Sequence, residues 1–417
     1  MTSPLAIDGG SPVIPERLPS IRDASGRSLG AEELEQLREV ITSGSLSFLY
    51  GRKTAEFEAA FAALYGVESA VSVSSGTAAL HTALLYLNPE PGDEVILSPI
   101  TDMGTAIPVL SQLAVPVFAD VDPRTQSLDP ASVEERITER TRAIIVTHIY
   151  GNPADMDAIM AIAARYGLFV IEDCAQALLA TDRGRLCGTM GDIGCFSFQQ
   201  SKHMTTGDGG MVIAREDGRF GRALRQCADK GWPRDKGGRD HLFLAPNYHM
   251  TELQAAVGLA QLRKLPGMVE RRIRSAERLT AALAGVDVEP IAIRAETQGT
   301  FFFYGFRLAP ERLRVPVTQV MKALTAEGID GFVGYPGPIP LYKYPVIREH
   351  KTFGTSGWPF TLAAARNWNY ADEICPVAEK ACRETVCMWW TEGFGDDHPG
   401  EIAAAIAKVV AAYGQQG

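Results

Sequence analysis

The chain has 417 residues, 46% of them hydrophobic, and sets 40 basic against 50 acidic side chains for a formal net charge of -10. This is the composition of a soluble globular enzyme with room for more than one unit, and its acidic balance weighs against nucleic acid or an anionic membrane as a partner. No apolar run reaches the roughly 20 residues of a membrane span, residues 1–4 lack the build of a secretion signal, and seven cysteines without a Cys-x-x-Cys pair fit a reducing cytoplasm.

Residues 1–30, rich in Gly, Pro and Ser, read as an N-terminal arm. Leu34, Leu37, Val40 and Ile41 recur at helical spacing and predict a helix over Ala31–Ser43, stopped by Gly44. A second helix is expected over Thr54–Tyr65, with Phe57, Phe61 and Leu64 on one face. Then β-rich runs alternate with helical patterns. Strands are expected at Ala70–Ser74, Glu94–Leu97, Val115–Asp120, Ala143–His148, Leu168–Asp173, Gly194–Phe198 and Met211–Ala214, and helices at Thr77–Leu87, Ala131–Arg140 and Met156–Tyr166. Such alternation implies an α/β fold: a mostly parallel seven-stranded sheet between helices, in a large unit over residues 31–270.

Thr251-Glu252-Leu253-Gln254 is a capping box that opens a helix to about Leu265, and a further helix is expected over Met268–Ala284. A smaller C-terminal α+β unit, residues 271–417, follows. It should hold a strand near Thr300–Leu308, a helix over Pro316–Glu327, a Pro/Gly/Tyr-rich loop at Gly334–Pro345 and a final helix at Glu401–Tyr413.

Ligands of parallel sheets gather beyond the carboxyl ends of the strands, where this chain carries Ser75-Gly76-Thr77, His148, Asp173 and Ser197. Glycine at 76 lets backbone approach a ligand, so the turn is either an anion cradle or an ordinary capped helix start. It is neither a Walker loop nor a Gly-x-Gly-x-x-Gly fingerprint. Strand alternation puts Glu172 and Asp173 on opposite faces. Asp173 either caps the next turn or faces a cation, a metal or a protonated ring nitrogen. His148 stands alone and reads as a packing residue, and no His/Cys cluster points to a metal. Lys202 sits on the turn before Gly207-Asp208-Gly209-Gly210, where partial desolvation would make it an amine nucleophile able to form a Schiff base.

An anion cradle, a strand-end carboxylate and a strand-end amine together suit pyridoxal phosphate, which needs all three. Lys202 could hold its aldehyde and later, displaced by substrate, move a proton between the substrate Cα and the cofactor.

At this point the chain resembles the DegT/DnrJ/StrS sugar aminotransferases, a group of fold-type I pyridoxal-phosphate enzymes. The likeness runs through Ile7-Asp8-Gly9-Gly10, Ser75 to His81, His148-Ile149-Tyr150-Gly151-Asn152-Pro153, Glu172 to Ala177, Ser197 to Gly210 and Asn247 to Ala256. It implies Lys202 as the Schiff-base lysine, Asp173 on the pyridinium nitrogen and Gln176 near the ring hydroxyl. Gly76, Thr77 and Ser197 would hold the phosphate. Asn247 would reach the phosphate of a neighbouring subunit's cofactor, making the active unit a homodimer. Lysine rather than histidine at 202 favours transamination over dehydration.

The chain departs from the family elsewhere. Asp102 or Met103 would lie over the cofactor ring where relatives carry an aromatic residue. Gln199, Asp208, Pro246 and His249 replace the commoner His, Glu, Gly and Arg. Tyr342 replaces a frequent His and, with His203, is a candidate substrate contact.

The expected function is transfer of an amino group from glutamine or glutamate to a ketosugar or, from the Cys375-to-Lys380 segment, a keto-cyclitol of an antibiotic-type pathway. Elimination or epimerisation on a sugar-like substrate and a non-catalytic binding protein are the alternatives.

Overall fold

The computed structural model describes residues 4–214, 218–237, 240–363 and 368–415; residues 1–3, part of the stretch read for a secretion signal, lie outside them. The central sheet is built from β1 (Ser69–Val73), β2 (Glu94–Leu97), β3 (Val115–Phe118), β4 (Thr141–Thr147) and β5 (Phe169–Asp173). After a short ribbon of β6 (Thr181–Asp182) and β7 (Arg185–Leu186) it is completed by β8 (Ile193–Ser197) and β9 (Gly210–Ala214). Its order is β1-β9-β8-β5-β4-β2-β3. Strands β8, β5, β4, β2 and β3 run parallel, and β9 pairs antiparallel with both β1 and β8. The strand interiors are Val, Ile and Phe buried on both faces, as a sheet covered by helices requires.

Helices α1 (Ala31–Ser43), α2 (Lys53–Tyr65), α3 (Gly76–Leu87), α4 (Met103–Ser111), α5 (Pro130–Glu135), α6 (Met156–Tyr166) and α7 (Gly218–Ala228) surround the sheet. One core gathers α3 and α4 residues such as Leu80, Leu84 and Val109 with Val95, Ile145 and Ile171. The other packs Phe57, Phe61, Ile159 and Ile162 against Ile144, Val170, Phe196 and Met211.

Helix α8 (Glu252–Ala282) corrects the expectation of two helices broken near Pro266. A proline in a helix interior costs about 3 kcal/mol, but Leu262, Leu265, Met268, Val269, Ala276 and Leu279 are buried on both sides of it. Their burial, at roughly 1.5–3 kcal/mol for each large side chain, outweighs one lost hydrogen bond. The division placed between residues 270 and 271 therefore falls inside a continuous helix. The helix expected over Ala131–Arg140 also proves shorter, ending at Glu135.

Beyond α8, β10 (Glu289–Pro290), β12 (Phe303–Arg307), β13 (Gly331–Val333) and β14 (Thr385–Trp389) form an antiparallel sheet of order β10-β12-β14-β13. The strand β11 (Thr297–Gln298) pairs back onto β6. Helices α9 (Val317–Ala326), α10 (Pro345–Arg348), α11 (Pro376–Glu384) and α12 (His398–Tyr413) complete this part. A buried pair ties it to α8: Arg272 Nη2 lies 2.8 Å from Glu392 Oε2, with both side chains fully enclosed. No helix among the described residues is long and apolar enough to cross a membrane.

Candidate active site

The start of α3 forms one side of the site. Ser75 caps the helix, its Oγ accepting from the Ala78 N–H at 3.0 Å. Gly76 and Thr77 then supply first-turn N–H groups that have no intrahelical acceptor. A Cβ at Gly76 would stand 2.6 Å from Ser197 Cβ, so only glycine lets this turn close against the end of β8. Ser197 Oγ accepts from Gln199 N at 3.4 Å and keeps its own hydrogen to donate.

The first turn of α4 joins this cradle to the sheet. Asp102 caps the helix through Oδ1, 2.8 Å from Gly104 N. A side chain on Gly104 would meet Thr77 Oγ1 at 2.7 Å. One position on, Thr105 Oγ1 donates to Asp173 Oδ2 at 2.8 Å. Behind Thr105, Thr101 lies 2.7 Å away and Thr147 a further 3.1 Å, so a buried row of hydroxyls ends on the aspartate. Ala175 N donates to the other oxygen at 3.1 Å. Burial pushes the Asp173 carboxyl above its ordinary range, while Thr105, Ala175 and the charge of Lys202 pull the other way.

Glu172, one residue earlier, faces the opposite layer. Burial alone would raise its pKa, but it accepts from His148 Nε2 at 3.0 Å and from the N–H groups of Gly188, Met190 and Gly191 at 2.6–2.7 Å, and is held below the ordinary value. His148 Nδ1 accepts from Ala154 N, which leaves the ring hydrogen on Nε2. His148, Glu172 and Cys174 bring three ligating atoms within 4.8 Å of one another, yet those of His148 and Glu172 already serve these hydrogen bonds.

Lys202 is half-buried, its Nζ 4.3 Å above the centre of the Phe302 ring. Burial lowers its pKa, against the opposing charges of Asp173 and Asp102. The turn is clamped from outside. Arg27 of the arm donates to the Lys202 carbonyl at 2.7 Å, and Gln200 Nε2 donates to the Ile21 carbonyl at 3.1 Å. Arg27 is itself buried, which brings its pKa down to about 10. From Phe302 an aromatic wall continues through Phe303, at 4.3 Å between centroids, to Tyr335 at 5.3 Å.

Gln176 is buried, its Oε1 accepting from Tyr150 N at 2.8 Å. Asn247 is exposed and folded on itself, Oδ1 taking His249 N at 3.3 Å. Two expected substrate contacts need correction. Tyr342 is fully buried with its hydroxyl donating to Glu379 at 2.6 Å, and His203 is fully buried with Nε2 on the Thr300 carbonyl at 2.9 Å. Both are packing residues that show no surface to a cleft. Met103 is half-buried, packing one side against the core. An apolar cavity of about 590 Å³ lies between Tyr150–Asn152, α8 and Ile291–Gly305; it shares Phe303 with the aromatic wall but is not lined by Lys202, Asp173 or Gly76.

Thr105, Phe302, Tyr335 and Arg27 were not foreseen from sequence. Tyr335 falls within the loop expected at Gly334–Pro345; the other three left no local signal.

The arrangement offers one amine of lowered basicity, one buried carboxylate seeking a cation and one anion cradle. These residues fit pyridoxal phosphate: the Gly76–Ser197 closure would cradle a phosphate, and the buried Asp173 carboxylate, holding two neutral donors, would take a protonated ring nitrogen.

A profile described as the DegT/DnrJ/EryC1/StrS aminotransferase family matches residues 27–407. Among curated relatives, an L-glutamine:2-deoxy-scyllo-inosose aminotransferase of Streptomyces paromomycinus is 38% identical over 98% of both chains. A GDP-perosamine synthase of Caulobacter vibrioides is 38% identical over 75% of this chain and 84% of its own. Among solved structures, the aminotransferase TlmJ from Streptoalloteichus hindustanus superposes with a TM-score of 0.79 at 30% identity, covering 93% of this chain and 98% of that one.

Proposed function

The chain belongs to the DegT/DnrJ/EryC1/StrS aminotransferase family, and from that premise we propose that it is a pyridoxal-phosphate enzyme moving an amino group from glutamine or glutamate to the keto carbon of a cyclitol or sugar. The observation that carries the reading is the gathering, at the carboxyl ends of β5 and β8, of Asp173 held by Thr105, the closed Gly76–Ser197 turn and the Lys202 amine over Phe302.

When bound, the cofactor supplies an aldehyde for amines and an electron sink for the carbanion formed next to them. The chain's own residues do the rest. Lys202 Nζ supplies the amine; lowered basicity raises its uncharged share near neutral pH, and the same nitrogen takes and returns the proton at the substrate carbon. Asp173, steadied by Thr105 and Ala175, keeps a ring nitrogen protonated. Gln176 faces the ring hydroxyl. Gly76, Thr77 and Ser197 hold the phosphate through backbone N–H groups and one hydroxyl.

We place a second copy of the chain against the rim that carries Asn247. Leu244 is 93% exposed and Tyr50 81%, with Leu46, Leu49, Leu242 and Phe243 also bare. Apolar surface of that extent favours a partner, and Asn247 beside it would complete the other copy's phosphate site. The seven unpaired, buried cysteines accord with a cytoplasmic setting.

The test is direct. The purified protein should absorb in the visible with the cofactor bound, and borohydride reduction followed by peptide mapping should put the pyridoxyl group on Lys202. Lys202→Ala should abolish both the adduct and turnover; an adduct elsewhere, or none, sinks the reading.

A further inference from the structure

The arm meets the lysine turn through a group whose burial works against the fold. Arg27 Nη1 donates to the Lys202 carbonyl at 2.7 Å. Arg27 is only 6% exposed, and its Nε and Nη2 are enclosed with no hydrogen-bond partner among the described residues. A single bond thus serves a group that carries five N–H donors and a fixed charge.

That charge is also in surplus. The carboxylate that attracts it, Glu392, already takes Nη2 and Nε of Arg272 on Oε2, at 2.8 and 3.1 Å, and Arg272 repels Arg27. Lys264 is balanced by Glu33 at 2.8 Å. Arg271 is exposed and donates to Ser28 Oγ and the Glu392 carbonyl, adding a cation and no anion. Arg27 is therefore the buried cation left over. Replacing such a group by an apolar side chain of similar volume is often neutral or stabilising, and folds keep locally unfavourable groups of this kind where a site uses them.

Its seat is closely built. Thr391 Oγ1 donates to the Gly26 carbonyl, and a Cβ on Gly393 would stand 2.8 Å from Gly26 Cα. The Ser28 carbonyl is held from α8 by Gln261 Nε2 at 3.0 Å and Lys264 Nζ at 3.1 Å. On the other side of the turn, His203 Nε2 donates to the Thr300 carbonyl at 2.9 Å, two residues before the Phe302 ring that lies 4.3 Å below the Lys202 amine. The backbone at Lys202 is pinned by the arm, and the next residue is tied to the segment that presents Phe302. The amine then moves only through its own side-chain torsions.

We infer that Arg27 is a positioning residue for Lys202: its grip on the Lys202 carbonyl fixes the base of the lysine side chain, so that the amine lies in line with the cofactor aldehyde and the substrate carbon. This rests on the pyridoxal-phosphate reading above and adds a residue that touches neither cofactor nor substrate.

Arg27→Met keeps most of the volume and removes the charge. Cofactor-free, the variant should unfold at a Tm equal to or above that of the wild type. It should bind deoxypyridoxine phosphate, which has the ring and phosphate but no aldehyde, with unchanged Kd. Its borohydride-trappable adduct with pyridoxal phosphate on Lys202 should form about tenfold more slowly or worse, since misplacing a reacting group by an ångström costs on the order of 100-fold. Turnover with glutamine or glutamate should fall about 10- to 100-fold in kcat with KM little changed. A Tm several degrees below wild type would make Arg27 a structural prop, and a parallel loss of deoxypyridoxine phosphate affinity would place it in the ring site. Either result, or wild-type adduct formation and kcat in the folded variant, overturns the inference and leaves transamination standing. A wild type that forms no adduct on Lys202 ends the pyridoxal-phosphate reading itself.

Discussion

Glu172 and Asp173 are chemically alike neighbours made opposite by what each faces. Glu172 collects a histidine and three backbone donors and stays ionised; Asp173 has two donors and is pushed toward protonation. Because its pKa is raised in the fold, Asp173 favours the folded state at low pH, and that contribution is lost as pH rises through its folded pKa. The cofactor-free protein should therefore lose thermal stability as pH climbs above the ordinary carboxylate range, and the cofactor should restore it by providing a cation. In Asp173→Asn the pH dependence should flatten, and the cofactor-induced rise in Tm should largely disappear. Scanning calorimetry from pH 5 to 8 with and without cofactor checks this; a variant that keeps the full rise would refute the assignment. Strand alternation alone reveals that these two carboxylates part ways. It does not reveal Thr105, because that contact depends on where α4 docks, which no local pattern encodes.

At the scale of elements, the cradle depends on two chain segments closing without a side chain between them. Gly76→Ala puts a methyl 2.6 Å from Ser197 Cβ. Overpacking of this kind costs about 1–3 kcal/mol, and the displaced turn should weaken cofactor binding about tenfold or more. Ser197→Gly in the same chain should return most of the lost urea midpoint but not the affinity, since the hydroxyl is gone as well. A single variant with unchanged midpoint and affinity would show that the closure is not tight. The strands and helices around the cradle were legible because Ser75, Asp155 and Thr251 are strong helix starts and the strands are apolar throughout. Two elements were misjudged: Pro266 is carried inside α8 by apolar contacts on both sides, and the helix expected over Ala131–Arg140 ends at Glu135.

For the whole molecule, the alternation of strands and helices predicted the central sheet and its mostly parallel sense, whereas of the second sheet only the strand near Thr300–Leu308 was foreseen. The path of the arm was illegible, since residues without periodicity take their course from surfaces made elsewhere. Asn247 offers a test of the assembly. If it serves the other copy's site, mixing Lys202→Ala with Asn247→Ala protein and allowing exchange should create hybrids with one intact site, about a quarter of wild-type turnover at equal input. Activity no greater than that of the two variants assayed apart would place Asn247 in its own subunit's site or in none.

The arm also constrains when the site can exist. Arg27 grips the carbonyl of Lys202, and the Gly26 carbonyl next to it accepts from Thr391 Oγ1. Residues synthesised early thus wait for partners 175 and 365 positions downstream. Arg27 can reach the Lys202 carbonyl once residue 202 is made, but the Gly26 carbonyl gains its donor only when Thr391, beyond the end of β14, has followed.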